Sequence, residues 1–183
     1  MNARFRRQAG DIMADSADYW SSKDDTDTWA TAMTLFQEGY ELQTQGLWAE
    51  AMACYRNSIR LHPTAEAHTF LGWVYSFLKL YDDAIAECRR AIAIDPEFGN
   101  PYNDIGAYLM ELGRDDEAII WFHQALRANR YDARCYPMFN LGRIHERRGE
   151  WRQAIDWYRK AQRENPGYEM ARLARIGLQA RMN

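Results

Sequence analysis

Residues 65–98 read AEAHTFLGWVYSFLKLYDDAIAECRRAIAIDPEF, and this stretch decides the fold. Leu71, Val74, Tyr75 and Leu78 recur at helical spacing in its first half, and Ala84, Ile85, Cys88, Ala91 and Ile92 do so in its second. The turn between them is expected near residues 79–82, with Asp82 as the N-cap of the second helix. The stretch closes at Asp95-Pro96, because proline cannot continue a helix and pushes its predecessor out of the helical region. Residues 65–98 therefore form a helix hairpin.

Copies of this hairpin lie on both sides of it. Gly72 has counterparts at Gly39, Gly106 and Gly142, and Ala84 has Ala51, Ala118 and Ala154, at steps of 33, 34 and 36 residues. Pro96 matches Pro63 and Pro166, while Arg130 stands where the third copy would carry proline. A mid-helix glycine costs about 1 kcal/mol relative to alanine, so its recurrence demands a packing reason, and a close helix crossing supplies one. Tyr55, Phe122 and Tyr158 fall four residues after the recurring alanine, with Cys88 in the second copy; Ala91, Ala125 and Ala161 follow, with Ser58 in the first.

This order of small, aromatic and proline positions resembles the tetratricopeptide repeat family. The resemblance covers about residues 32–168, and a two-residue insertion around residues 131–135 precedes the last copy. It implies an all-α fold: a right-handed superhelical solenoid of four hairpins, at about 32–64, 65–98, 99–134 and 135–168. Residues 1–27 are expected to hold an amphipathic helix (Phe5, Ala9, Ile12, Met13, Trp20) and a polar linker, SSKDDTDT, with an N-cap at Asp27 or Thr28. Residues 169–183 are expected to form a capping helix that packs through Met170, Leu173, Ala174, Gly177 and Ala180.

The first helix of a hairpin carries two stripes. In the first copy Ala32, Leu35, Gly39 and Leu42 form the packing side, and Trp29, Met33, Phe36 and Tyr40 form another; in the second copy Phe70, Trp73 and Phe77 lie off the packing stripe. In the family that second side lines a concave groove, so the resemblance implies a groove with an aromatic wall. Its corresponding positions turn to amide and acid in the third copy (Asn100, Asn103, Asp104) and to Tyr136, Phe139, Asn140, Arg143 and Arg147 in the fourth. The expected partner-binding residues are Met33, Phe36, Tyr40, Phe70, Trp73 and Phe77 as apolar anchors and Asn103 and Asn140 as bonds to ligand backbone. Arg143 and Arg147 would hold an acidic side chain or a C-terminal carboxylate. The competing reading has these aromatics covered in cis, by neighbouring first helices or by the N-terminal segment.

The chain has 183 residues, 47% hydrophobic and 27% charged, with a formal net charge of -3. No apolar run has the length of a membrane span, and MNARFRRQAGDIM lacks the apolar core of a secretory signal, so a cytoplasmic location is expected. From Cys135 onward ten Lys or Arg face five Asp or Glu; before it thirteen face twenty-one. Cys54, Cys88 and Cys135 have no metal or redox spacing and are expected to pack as small hydrophobes. The four histidines form no i,i+4 pair, and no phosphate-cradling glycine loop occurs, so neither metal nor cofactor is implied. Asp115 and Asp116 open a helix, where negative charge offsets the dipole.

The expected function is therefore a non-catalytic scaffold or adaptor that holds a partner peptide or helix in the groove, in a chaperone-like or complex-assembly role. Family members that clamp chaperone C-termini use lysines, asparagines and arginine where this chain has Phe36, Tyr40, Phe70, Asn100 and Asp104, which argues against that docking. RNA binding is the alternative, favoured by Trp151, Trp157 and Tyr158 in the basic portion and opposed by the net acidic balance. A self-associating homo-oligomer, through the aromatic wall or the segment from Phe5 to Trp20, is compatible with the scaffold.

Overall fold

The computed structural model describes residues 23–182, with side chains from Thr26 onward, so the helix expected before Ser21 lies outside the described residues. Nine α-helices and no strand occur among them: α1 Lys23–Thr44, α2 Trp48–Leu61, α3 Ala65–Phe77, α4 Tyr81–Ile94, α5 Asn100–Glu111, α6 Asp115–Arg127, α7 Cys135–Arg147, α8 Trp151–Glu164 and α9 Glu169–Arg181. Each helix packs on the one before and the one after. In addition α1 touches α3, α3 touches α5, and α5 touches α7. The first helices of successive hairpins therefore form the inner, more closely spaced layer of an all-α solenoid.

Three hairpin turns use glycine in the left-handed region, Gly46 at φ 79°, Gly113 at 73° and Gly149 at 74°; the second hairpin has Lys79 there instead, at φ 60°. Asp82 is not the N-cap expected: α4 starts at Tyr81 after Leu80, and Asp82 and Asp83 lie in its first turn, where the dipole favours them. The polar linker also shortens. Its residues from Lys23 onward are helical, and Asp27 lies inside α1, its carbonyl accepting a bond of 2.9 Å from the Thr31 hydroxyl.

The recurring glycines make room for rings as well as for helices. A Cβ at Gly39, Gly106 or Gly142 would meet Tyr55, Phe122 or Tyr158 at 2.8, 2.6 and 2.4 Å. At Gly72, where Cys88 replaces the ring, the same Cβ would lie 3.0 Å from the Ala84 carbonyl and 3.3 Å from the Cys88 sulfur. Cys88 and Cys135 are buried and Cys54 is half-buried, and burial pushes the Cys88 thiol well above its ordinary pKa.

The insertion between α6 and α7 is stapled rather than loose. The Gly99 N–H donates to the Arg130 carbonyl at 3.1 Å and the Arg130 N–H to the Glu97 carbonyl at 3.0 Å, while Tyr131 is buried over Gly99. At the C-terminus α9 is rotated from its expected register. Ala171 and Leu178 are its buried residues, whereas Met170 and Leu173 are 59% and 56% exposed and Gly177 faces nothing within 4 Å. The methyl of Ala171 lets α9 approach α8 closely, and Arg175 fixes the rotation by donating to Gln162 on α8 at 2.9 Å.

Candidate functional site

The expected groove residues lie on the first helices of the hairpins, in the order α1, α3, α5, α7, and those of α1 and α3 meet one another. Phe36 meets Phe70 edge-to-face at 5.2 Å, Tyr40 meets Phe70 at 5.8 Å, and Phe70 meets Trp73 at 5.9 Å. Trp73 then meets Phe77 at 5.8 Å, and Phe77 stacks on Trp48 at 4.4 Å. Edge-to-face and stacked pairs add roughly 0.5–1.5 kcal/mol each beyond area burial, so this row is a rigid ladder rather than a set of loose side chains.

The ladder is graded in exposure. Met33 and Phe36 are buried at 5% and 6%, with Phe70 and Tyr55 against the Phe36 ring, so they form its foundation rather than its contact surface. Tyr40, Phe70 and Trp73 are half-buried, and Phe77 is 46% exposed. Trp48 was not among the expected groove residues. It opens a second helix, outside the stripe of α1 and α3, and no periodic signal connects it to Phe77.

On α5 the wall turns polar. Asn103 Nδ2 donates to the Asp104 carboxylate at 3.3 Å, while the side-chain oxygens of Asn100 and Asn103 are buried without a hydrogen bond. Burial pushes the Asp104 carboxyl up to about 7, against the lowering effect of the Asn103 bond. Asp104 holds the acid position of the stripe, but helical spacing does not show that it is buried. On α7 Asn140 accepts from Arg143 at 3.3 Å, and Arg143 is exposed. Arg147 is engaged with Asp115 of α6 at 2.6 Å, and Arg148 with Asp116 at 2.7 Å. Asn140 and Arg143 are therefore brought together, while Arg147 serves a joint between hairpins.

Two histidines pack against neighbouring helices. His68 Nδ1 lies 2.7 Å from the buried Glu87 carboxylate, which also binds Arg90. His123 packs edge-on to Trp157, and burial, Arg127 and Lys160 lower its pKa. Among the described residues no group of three His, Cys, Asp or Glu side chains is placed to hold a metal ion, and no helix is long and apolar enough to cross a membrane. The described inner layer thus carries an apolar ladder on α1 and α3, buried amide oxygens and a buried carboxyl on α5, and an exposed arginine on α7.

Comparison with known proteins agrees with this geometry. Family models described as tetratricopeptide repeat match residues 36–97 and 98–163. Anaphase-promoting complex subunit 3 of Schizosaccharomyces pombe is 28% identical over 114 residues, 62% of this chain and 17% of that protein. A small glutamine-rich tetratricopeptide repeat-containing protein 2 from Mycosarcoma maydis is 30% identical over 91 residues, 49% of this chain and 26% of that one. The chain thus spans about a quarter or less of the length of these curated relatives. Among solved structures, Pseudomonas aeruginosa PilF superposes with a TM-score of 0.78 at 24% identity, covering 87% of this chain and 71% of that one, a likeness of fold.

Proposed function

The chain belongs to the tetratricopeptide repeat family, and on that footing we propose that it is a non-catalytic scaffold whose inner surface holds a segment of a partner protein. The observation that carries this reading is the aromatic ladder, which emerges from a buried base at Phe36 to an exposed end at Phe77. A surface helix of a monomer has no need of a continuous row of rings at the inner layer, and exposed apolar patches of this kind mark interaction sites. Repeat solenoids display such surfaces across several hairpins. Tyr40, Phe70, Trp73 and Phe77 would take apolar side chains of the partner. Arg143, exposed on α7, favours an acidic group.

The test is binding of labelled peptides that pair two aromatic or aliphatic residues with an acidic one, compared with scrambled and acid-free versions. Wild-type binding that weakens roughly tenfold in the Trp73→Ala, Phe77→Ala double variant supports the site. Equal affinity for all peptides, or equal binding by the variant, removes it. RNA binding has a weaker basis, since Lys160 lies 3.8 Å over Trp157 and Arg89 lies 5.0 Å over Trp121, so these cations are partly engaged.

A further inference from the structure

The glycine that recurs through the hairpins has a fifth copy on α9. Gly177 follows Gly142 by 35 residues, within the series of 33, 34 and 36 that joins Gly39, Gly72, Gly106 and Gly142. In each earlier hairpin the glycine faces its own second helix, where an added Cβ would lie within 3.3 Å of Tyr55, Cys88, Phe122 or Tyr158. Gly177 faces nothing within 4 Å among the described residues. The rest of the helix keeps the same register. Met170 and Leu173 match Ala65 and His68 of α3, which turn to α4, Ala65 packing with Ala91 and His68 meeting Glu87. On α9 that side is open: Met170, Leu173 and Ile176 are exposed, while Ala171 and Leu178 are the residues packed into the core beside α8. Helix α9 is thus built as a first helix, and its second-helix side is apolar where the end of a soluble array is ordinarily polar.

This side is complementary to itself. When two α9 helices cross antiparallel about their middle, Leu173 of each falls opposite Gly177 of the other, and Met170 falls opposite Ala180. Glycine and alanine opposite the larger side chains let the two backbones approach. The ends match in charge, because Glu169 falls opposite Arg181. Within one copy Glu169 accepts from Arg172 Nε at 2.8 Å, and Arg181 lies 3.5 Å from Glu146 with its side chain 67% exposed, so its guanidinium is free to turn outward. Arg175 donates to Gln162 and Gln179 and stays off the face.

We propose that α9 is a homodimerisation helix, two copies packing it antiparallel across a two-fold axis with Leu173 over Gly177 and Glu169 beside Arg181 at both ends. A helix of 13 residues is about 20 Å long, and a pair of them falls short of the roughly 1,200 Å² of a stable interface, so the dimer is of the transient class. The aromatic ladder lies on the first two hairpins and α9 beyond the fourth. The dimer therefore carries two copies of the proposed groove, and the pairing does not depend on what the groove holds.

Sedimentation equilibrium of the full chain, from about 10 µM to about 1 mM at low salt, is the test. The mean mass should climb from one chain toward two and stop there, as a closed two-fold contact requires. Leu173→Glu, at an exposed position, should weaken the dimer roughly tenfold or more with helix content unchanged by circular dichroism. Glu169→Arg and Arg181→Glu should each dimerise less than wild type, since each sets like charges opposite at both ends. Their equimolar mixture should recover the dimer, because every end then pairs opposite charges. The Trp73→Ala, Phe77→Ala double variant should dimerise like wild type. A single-chain mass throughout overturns the proposal and leaves the face to a helix of another protein. It is equally overturned by a mass beyond two chains, by a dimer that Leu173→Glu leaves intact, or by a mixture no tighter than its components. Loss of the dimer in the double variant would assign the contact to the ladder instead.

Discussion

Arg130 reaches back sixty-four residues to place Nη1 2.7 Å from the carboxylate of Glu66, at the position where the repeat would carry proline. The same guanidinium bonds Asp95 through Nε at 2.8 Å and lies 4.1 Å over the ring of Phe98. One side chain thus ties the start of α3, the end of α4 and the loop before α7. Arg130→Ala is expected to cost about 1 kcal/mol, since the group is half-exposed and screened. Arg130→Pro should be worse, because it also deletes the N–H that donates to Glu97. Urea midpoints of the two variants decide this, and a proline variant as stable as wild type would refute it.

The glycines predict a contrast. Gly142→Ala forces a methyl into the ring of Tyr158 and should destabilise by about 1–3 kcal/mol. Gly177→Ala meets open space and gains helix propensity, so it should be neutral or stabilising by up to about 1 kcal/mol. Thermal melts of the pair are the check.

Lys79 occupies a left-handed turn that glycine fills in the neighbouring hairpins. Lys79→Gly removes that strain and is expected to raise stability by about 1 kcal/mol, measured by chemical denaturation.

Asp104 gives the chain a pH dependence of definite sign. Its carboxyl is pushed from 3.8 to about 7 in the fold. Between about pH 4 and 7 the folded chain keeps a proton that the unfolded chain has lost, so this group makes stability fall as pH rises through that window. The effect is on the order of 2 kcal/mol. Asp104→Asn should flatten the profile and be more stable than wild type at pH 8. A variant whose denaturation midpoint at pH 5 and pH 8 parallels the wild type would show that the group is solvated.

Phe36 and Phe77 should separate folding from binding. Phe36→Ala opens a buried site and should cost about 3 kcal/mol, whereas Phe77→Ala should cost less than about 1 kcal/mol and still weaken peptide binding. Loss of binding in neither would move the site off the ladder.

The hairpins were legible because proline, glycine and apolar spacing repeat, and each repeat corroborates the others. The identity of the residue facing each glycine was half legible: alanine positions mark the crossing, but Tyr55, Phe122 and Tyr158 fill it. The rotation of α9 was not legible, because Met170, Leu173 and Gly177 form as good a stripe as Ala171, Ala174 and Leu178, and only the contact with α8 chooses between them. Likewise Arg147 belongs to the groove stripe by spacing, yet Asp115 on the preceding helix claims it. Partners that lie thirty residues away leave no periodic trace.

Two of the joints between hairpins are made of different materials. Hairpins one and two meet through rings, whose attraction is indifferent to salt, while hairpins three and four share the exposed pairs Arg147–Asp115 and Arg148–Asp116. Rising ionic strength therefore screens the pairs at one of these joints and leaves the rings at the other untouched, while the buried cluster of Ile105, Phe122, Leu141 and Ile144 still joins hairpins three and four.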